Sequence, residues 1–185
     1  MYHKARNCSL TILRCFYSKD PHLLFRALIA YVRPIIEYCC SVWCPFKLCE
    51  IRKVEAIQKR FTKRLKGLED KSYKDRLNFL KAESLELRRI KADLTMCYKI
   101  LHNAVKMPSS EFFELRDGRS TRGHSLTIYK PRHKTNLEKF FFSSRVVKAW
   151  NKLPQHVANA SNVNSFKRYI NKLPSNFYVP YLFIK

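Results

Sequence analysis

The chain has 185 residues, enough for one ordinary domain or two small ones, and its 46% hydrophobic and 14% aromatic content argues against disorder throughout. Thirty-seven Lys and Arg against fourteen Asp and Glu give a formal net charge of +23. This imbalance indicates a polyanionic partner, with nucleic acid favoured over an anionic membrane surface or an acidic protein. The longest uncharged stretch, residues 38–46, is far shorter than the roughly 20 residues that a membrane-spanning helix needs, so no membrane partner is expected.

Helical signals dominate the first 105 residues, and the presence of only three glycines disfavours an all-β fold rich in tight turns. Asp20-Pro21 predicts an N-cap followed by proline at the first helical position. This helix is expected to continue until Pro34. A second apolar segment, PIIEYCCSVW, then ends at Pro45.

A longer amphipathic helix is predicted after Lys47. Its apolar positions recur at a spacing of three or four residues, which predicts one buried face. These positions are Ile51, Val54, Ile57, Phe61, Leu65 and Leu68. Gly67 is the predicted C-terminal stop.

Two further helices are predicted before residue 106. Ser72 to Asp75 has the pattern of a capping box, which opens the short helix YKDRLNFL. A long helix is then predicted over about residues 84–105. Its apolar stripe consists of Leu87, Ile90, Leu94, Tyr98 and Leu101.

The sequence changes character near Met107, and no acid occurs from Gly118 to Leu137. Within this stretch SLTIYK alternates as a strand does. FFFSSRVVKAWNKL then reads as a helix stopped by a proline.

Ser161 or Asn162 is predicted to cap the last helix, VNSFKRYINKL. The elements together predict a mainly α fold in two parts. Residues 1–106 form a helical bundle, and residues 107–185 form a smaller α+β module with a short β element and two helices.

No catalytic site is predicted. Two-metal phosphoryl transfer needs clustered carboxylates, whereas the five aspartates are spread along the chain. No glycine pattern for nucleotide phosphates is present. His124 and Ser125 are adjacent, but neighbours in an extended segment point to opposite faces and no acid is near to orient the histidine. We therefore expect neither enzymatic activity nor a small-molecule substrate.

No metal site or cofactor is predicted either. Cys39, Cys40, Cys44 and Cys49 are crowded, but they include no Cys-x2-Cys pair and no suitably placed histidine. On helices such cysteines are more often small buried hydrophobes. Seven cysteines and no convincing signal peptide predict a protein with reduced thiols in the nucleus or cytoplasm, not a secreted one.

Basic residues on the helix after Lys47 are the strongest functional signal. They form a cationic ridge opposite the apolar stripe, with two flanking rows. The ridge and its flanks consist of Arg52, Lys53, Lys59, Arg60, Lys63, Arg64 and Lys66. An ordinary solvated face would alternate Lys and Arg with Glu, whereas only Glu50 and Glu55 dilute this one. The pattern therefore favours a surface that contacts phosphates without reading sequence.

Aromatic residues interleave with the charges of the second part. Tyr129 precedes a lysine, and Phe140 to Phe142 precede an arginine, so these rings are candidates for base stacking. The helical spacing of Phe141, Val146 and Trp150 instead predicts that these three form a core.

Three segments carry more specific motifs. The first is LLFRALIAYVRPIIEYCCSVWCPF, in which VRPIIEY and VWCP stand out. The second is IRKVEAIQKRFTKRLKGLEDKSYKDRLNFLKAESLELRRIKADLTMCYKIL. The third is STRGHSLTIYKPRHKTNLEKFFFSSRVVKAWNKLP followed by SNVNSFKRYINKL. Together they resemble the C-terminal part of reverse transcriptases from non-LTR retrotransposons, the jockey-like and related LINE lineages.

The resemblance implies a thumb-like helical bundle that holds an RNA–DNA hybrid during RNA-directed DNA synthesis. It implies no catalysis here, because the family's palm, with its Asp pair, and its fingers would lie upstream of this sequence. In the third segment the acid-free basic stretch supplies further phosphate-contact candidates. They are Arg119, Arg122, Lys130, Arg132 and Lys134, while His124 is expected to be structural.

We therefore expect a non-catalytic fragment of a transposable-element polymerase, whose partners are RNA or an RNA–DNA hybrid and the missing palm and fingers. Two alternatives stay open. In the first, the chain is a stand-alone adaptor that binds nucleic acid or protein. In the second, it is a remnant without a function of its own.

Overall fold

Helices formed by the predicted amphipathic segments dominate the structure. A computed structural model of the protein describes residues 1–116 and 124–178, and its fold is mainly α, which confirms the predicted fold class. Two compact units are present, Met1–Arg88 and a second from Arg89 onward. Their boundary falls inside one continuous helix, which spans Leu85–Leu101. The predicted division at residue 106 stays a prediction.

The first unit is built from helices that share one apolar core. Its helices are α1 Tyr2–Cys15, α2 Pro21–Ala27, α3 Arg33–Glu37, α4 Leu48–Lys63, α5 Tyr73–Phe79 and the start of α6 Leu85–Leu101. The core side chains include Ala5, Ile12, Leu24, Phe25, Leu28, Val32, Ile36, Ile57, Phe61, Leu65, Leu68, Leu80 and Leu85. The apolar spacing predicted after Lys47 therefore identifies the buried face of α4 correctly.

Two of the predicted helix starts in this unit are confirmed. The Asp20 side chain accepts a hydrogen bond from the Leu23 N–H at 2.7 Å, ahead of the proline that opens α2. The Ser72 hydroxyl accepts from the Asp75 N–H at 3.2 Å, which starts α5. Each side chain satisfies a backbone donor that has no partner within its own helix.

Pro34 does not end the preceding helix, contrary to the prediction. A π-helical turn, Leu28–Val32, follows α2, and in it the Arg33 N–H donates to the Leu28 carbonyl five residues back. This wider turn shifts the hydrogen-bonding pattern just where proline has no N–H to offer. The chain therefore continues as α3 and leaves the helix at Glu37.

Helix α6 ends at Leu101, short of the predicted residue 105. Asn103 adopts the left-handed conformation with φ 52°, and the Ala104 N–H donates to the Lys99 carbonyl at 2.8 Å. This arrangement is a Schellman motif, which satisfies the last helical carbonyls and turns the chain away.

The second unit contains many short helices. They are the remainder of α6 and α7 Ser109–Phe112, α8 Asn136–Phe140, α9 Phe142–Arg145, α10 Val147–Trp150, α11 Gln155–Ala158, α12 Val163–Lys172 and α13 Ser175–Tyr178. Among the described residues, its β element is one antiparallel bridge between Leu115 and Ile128. Ile128 lies in the predicted strand SLTIYK.

Stacked aromatic rings form the centre of the second unit. Tyr98 stacks on Phe166 with ring centroids 4.4 Å apart, and Trp150 lies 6.0 Å from the same phenylalanine. The Tyr98 hydroxyl donates to the Ala160 carbonyl at 2.6 Å, so its polar end is also satisfied inside the core.

The predicted helix over FFFSSRVVKAWNKL begins two residues late. Phe141 is extended, with ψ 152°, and precedes the first residue of α9. Its side chain is 53% exposed, so the prediction that it joins the core is wrong, whereas Val146 and Trp150 are buried as predicted. Phe142 is buried in its place because the later start changes which residues face inward.

Asn162, and not Ser161, caps α12. Its side-chain oxygen accepts from the Ser165 N–H at 2.8 Å. Asn162→Ala is expected to lower the free energy of unfolding by about 1 kcal/mol, because that donor loses its partner. Ser161→Ala is the matched control and should change it by a few tenths of a kcal/mol at most. Urea denaturation of both variants distinguishes the two residues, and equal effects would contradict the assignment.

Candidate nucleic-acid interface

The seven basic residues predicted on and after α4 are all exposed. We call them the basic ridge: Arg52, Lys53, Lys59, Arg60, Lys63, Arg64 and Lys66. At 3.6 residues per turn, Arg52, Lys59 and Lys63 project within about 40° of one another. Val54 and Phe61 face roughly the opposite way, toward the core. The predicted separation of a cationic face from an apolar face is therefore present.

The ridge extends beyond the helix, which corrects the sequence assignment. Helix α4 ends at Lys63, Arg64 is its C-cap, and Lys66 lies in the following turn. Leu65 and Leu68 are nevertheless both buried. The predicted stop at Gly67 is four residues late, although Gly67 does adopt a positive φ of 77° in that turn.

A buried arginine stabilises the end of α4. The Arg76 guanidinium donates to the Lys59 carbonyl at 3.3 Å and to the Thr62 hydroxyl at 3.2 Å. It also donates to the Lys71 carbonyl at 2.8 Å. Positive charge near the last carbonyls of a helix is favourable, so this part of the ridge is carried by a well-anchored backbone.

Glu55 does not reduce the positive charge exposed on the ridge, contrary to the prediction from the sequence. Its side chain is buried, and its carboxylate accepts hydrogen bonds from the Leu85 N–H at 3.1 Å and the Glu86 N–H at 3.2 Å. The same carboxylate accepts from the Tyr73 hydroxyl. A carboxylate at the start of a helix is favourable, because the first backbone donors of the helix have no partner within it.

Glu50, the other acid of α4, is exposed and lies one turn before Lys53, near one flank of the ridge. By helical geometry it projects about 160° from Arg52. The ridge direction that Arg52, Lys59 and Lys63 share thus carries exposed cations without an exposed carboxylate between them. None of the seven cations forms an ion pair with any residue in the described part of the chain.

Glu55 belongs to a buried polar network beneath the ridge. Gln58 donates to the Tyr73 hydroxyl at 3.0 Å and to the Glu83 carbonyl at 2.9 Å. The Gln58 carbonyl oxygen accepts from Arg33 at 3.2 Å. Burial, followed by the negative charge of Glu55, raises the pKa of Tyr73 above its ordinary value. Burial lowers the pKa of Arg33.

The second predicted group of cations lies in the second unit. Lys130, Arg132 and Lys134 are exposed in a segment without regular secondary structure. Arg119 and Arg122 lie outside the described residues. Lys130, Arg132 and Lys134 are therefore the members of this group that stay candidates for phosphate contacts.

Three side chains anchor the segment that precedes these cations. His124 is buried and its Nε2 is 3.0 Å from the Trp150 carbonyl, which confirms its predicted structural role. The Trp150 indole donates to the Leu126 carbonyl at 2.8 Å. Asn151 accepts from the Ile128 N–H at 2.9 Å and donates to its carbonyl at 2.7 Å. This structural role of Asn151 was not predicted from the sequence. The available signal was its position directly after Trp150, which was predicted to be buried.

Other acids are also held by cations or by backbone. Glu37 forms a two-point ion pair with Arg88, and hydrogen bonding to that carboxylate raises the pKa of Arg88. In the second unit Asp93 pairs with Arg145 through bonds of 2.8 and 2.9 Å. Paired acids of this kind contribute little negative field to a distant cationic surface.

The described residues carry neither a metal-ligand cluster nor a membrane-spanning helix. Residues 1–116 and 124–178 contain no cluster of three or more His, Cys, Asp or Glu that could hold a metal ion. All seven cysteines are free thiols. In those ranges no helix combines the length and the apolar character that crossing a bilayer requires.

Comparisons with protein-family models, with curated proteins and with solved structures found no match to this chain. The likeness to a reverse transcriptase thumb therefore stays a hypothesis that rests on the quoted segments.

Glu55→Gln is expected to lower the free energy of unfolding by about 1–3 kcal/mol, because an amide NH₂ would face buried donors and leave one unsatisfied. Glu50→Gln makes the same change of charge at an exposed position of the same helix and should stay within about 0.5 kcal/mol of wild type. Urea denaturation measures both. Similar values for the two variants would show that the Glu55 contacts do not stabilise the fold.

The raised pKa of Tyr73 predicts a loss of stability at high pH. Below the ordinary tyrosine pKa the phenol is neutral in both states and its contribution is fully present. Above that pKa only the unfolded chain ionises, so stability falls until the folded pKa is reached. Between pH 9 and pH 11 wild type should lose about 1.4 kcal/mol more than Tyr73→Phe.

Denaturation midpoints at the two pH values measure this difference. Tyr17→Phe, at a fully exposed tyrosine, is the control and should behave as wild type does. Equal losses in wild type and Tyr73→Phe would contradict the prediction.

Proposed function

We propose that this protein binds the phosphate backbone of nucleic acid through the basic ridge, without catalysing a reaction. The observation that carries the proposal is the burial of Glu55, which leaves the ridge direction of α4 without an exposed acid. Seven exposed cations on one helix and its following turn suit a polyanion whose charges recur at short intervals.

The net charge of the whole chain supports the same proposal. A formal charge of +23 favours association with polyanions generally, and contacts to phosphates need no base-specific side chains. We further propose RNA or an RNA–DNA hybrid as the partner and the nucleus or cytoplasm as the location. The basis for the partner is the resemblance to the C-terminal part of non-LTR retrotransposon reverse transcriptases, and the basis for the location is the set of seven cysteines without a convincing signal peptide. In such a polymerase the palm and fingers would be further partners.

Binding to RNA or to an RNA–DNA hybrid is expected to weaken steeply with salt. With about 4 to 6 phosphate contacts, the slope of log K against log salt concentration should be roughly −3 to −5. Fluorescence anisotropy with labelled RNA or hybrid over a salt series measures it. A flat salt response would remove the proposal.

Reversing charges on the ridge tests its location. Lys59→Glu, Lys63→Glu and Lys66→Glu together should weaken binding several-fold and reduce the size of the salt slope by about 2 to 3. The matched control changes the net charge equally at exposed lysines of the second unit. It combines Lys152→Glu, Lys167→Glu and Lys172→Glu. If both triple variants lose affinity equally, total charge and not the ridge determines binding.

A further inference from the structure

We propose that Tyr129 and the cations that follow it form a site for single-stranded nucleic acid, in which a base stacks on the phenol ring. This proposal rests on the proposed function and extends it from backbone contacts to unpaired bases. Lys130, Arg132 and Lys134 would hold the phosphates beside the stacked base.

The backbone at Tyr129 is held in place by the fold. Asn151 makes two hydrogen bonds to the main chain of Ile128, the residue just before it. The Tyr129 N–H itself donates to the Glu114 carbonyl at 2.7 Å. A stacking ring on an ordered backbone loses less conformational freedom on binding than one on a mobile loop.

The side chains of Ile128 and Tyr129 have opposite environments. Ile128 is 1% exposed, whereas Tyr129 is 46% exposed, as expected for neighbours on an extended chain whose one face is buried. The Tyr129 ring makes no ring contact or hydrogen bond with any residue in the described part of the chain. Nearly half of the Tyr129 surface is therefore exposed on an ordered backbone.

Exposed cations follow this ring along the same segment. They are Lys130, Arg132 and Lys134. Arg116, which pairs with Thr127 across the bridge, is exposed as well.

Among the described residues, two acids lie close to this group. Glu114 pairs with Tyr129 through its main chain, and Glu138 lies 3.9 Å from His133. Four exposed cations outnumber these two carboxylates, so the net field around the ring favours phosphate.

Unpaired bases are the partners that this geometry selects. In a duplex each base is stacked between its neighbours and cannot cover a protein ring, whereas a single strand can present its bases freely. Stacking of one base on an aromatic side chain contributes about 1–3 kcal/mol, and it does not depend on base identity.

A comparison of three ligands tests the proposal with the full chain. They are a short labelled oligothymidylate, an abasic oligomer of the same length, and a duplex. Wild type should bind the oligothymidylate at least about fivefold more tightly than the abasic oligomer. Tyr129→Leu should abolish this preference, and Tyr129→Phe should retain it because stacking needs only the ring.

Tyr17→Leu removes a fully exposed tyrosine from the first unit and is the control, for which the preference should persist. Circular dichroism establishes that each variant is folded. If wild type binds the two oligomers equally, or if the preference survives in Tyr129→Leu, the stacking site is refuted while the basic ridge stands. If no ligand binds, the proposed function fails together with it.

Discussion

The buried carboxylate of Glu55 is the interaction on which the first unit depends. It takes the first two backbone donors of α6, Leu85 and Glu86, while the Ser84 hydroxyl takes the third, Leu87, at 3.2 Å. Hydrogen bonds that involve a charged group each contribute about 1.5–3 kcal/mol, so this one residue joins α4 firmly to the start of α6. Fixing α4 in this way also determines which of its faces is left for solvent.

The same interaction shapes the surface electrostatics. Glu55 would neutralise part of the cationic face of α4 if its carboxylate were exposed. Instead the carboxylate is buried, where backbone N–H groups and the Tyr73 hydroxyl compensate its charge. The ridge keeps its positive field as a direct result. Structure and proposed function are linked here, because the contact that orders the fold also removes the acid from the binding face.

In the second unit, the side chains of Trp150 and Asn151 hold together two stretches of the chain that are distant in sequence. Their side chains bond the main chain of HSLTI, and His124 returns a bond to the Trp150 carbonyl. Backbone groups that would be buried without partners are thereby satisfied. In the third quoted segment His124, Trp150 and Asn151 are thus structural, and the exposed residues Tyr129, Lys130, Arg132 and Lys134 of the same segment are the ones left for a ligand.

The sequence by itself determined the mainly α fold, the capping residues Asp20 and Ser72, the buried face of α4 and the exposure of its cations. These features follow from spacing and from contacts within a few residues. Only the tertiary structure decided that Glu55 is buried, that a π turn carries the helix past Pro34, and that Phe142 replaces Phe141 in the core. Each of these depends on partners distant in sequence or on the residue at which a helix begins, which local periodicity does not encode.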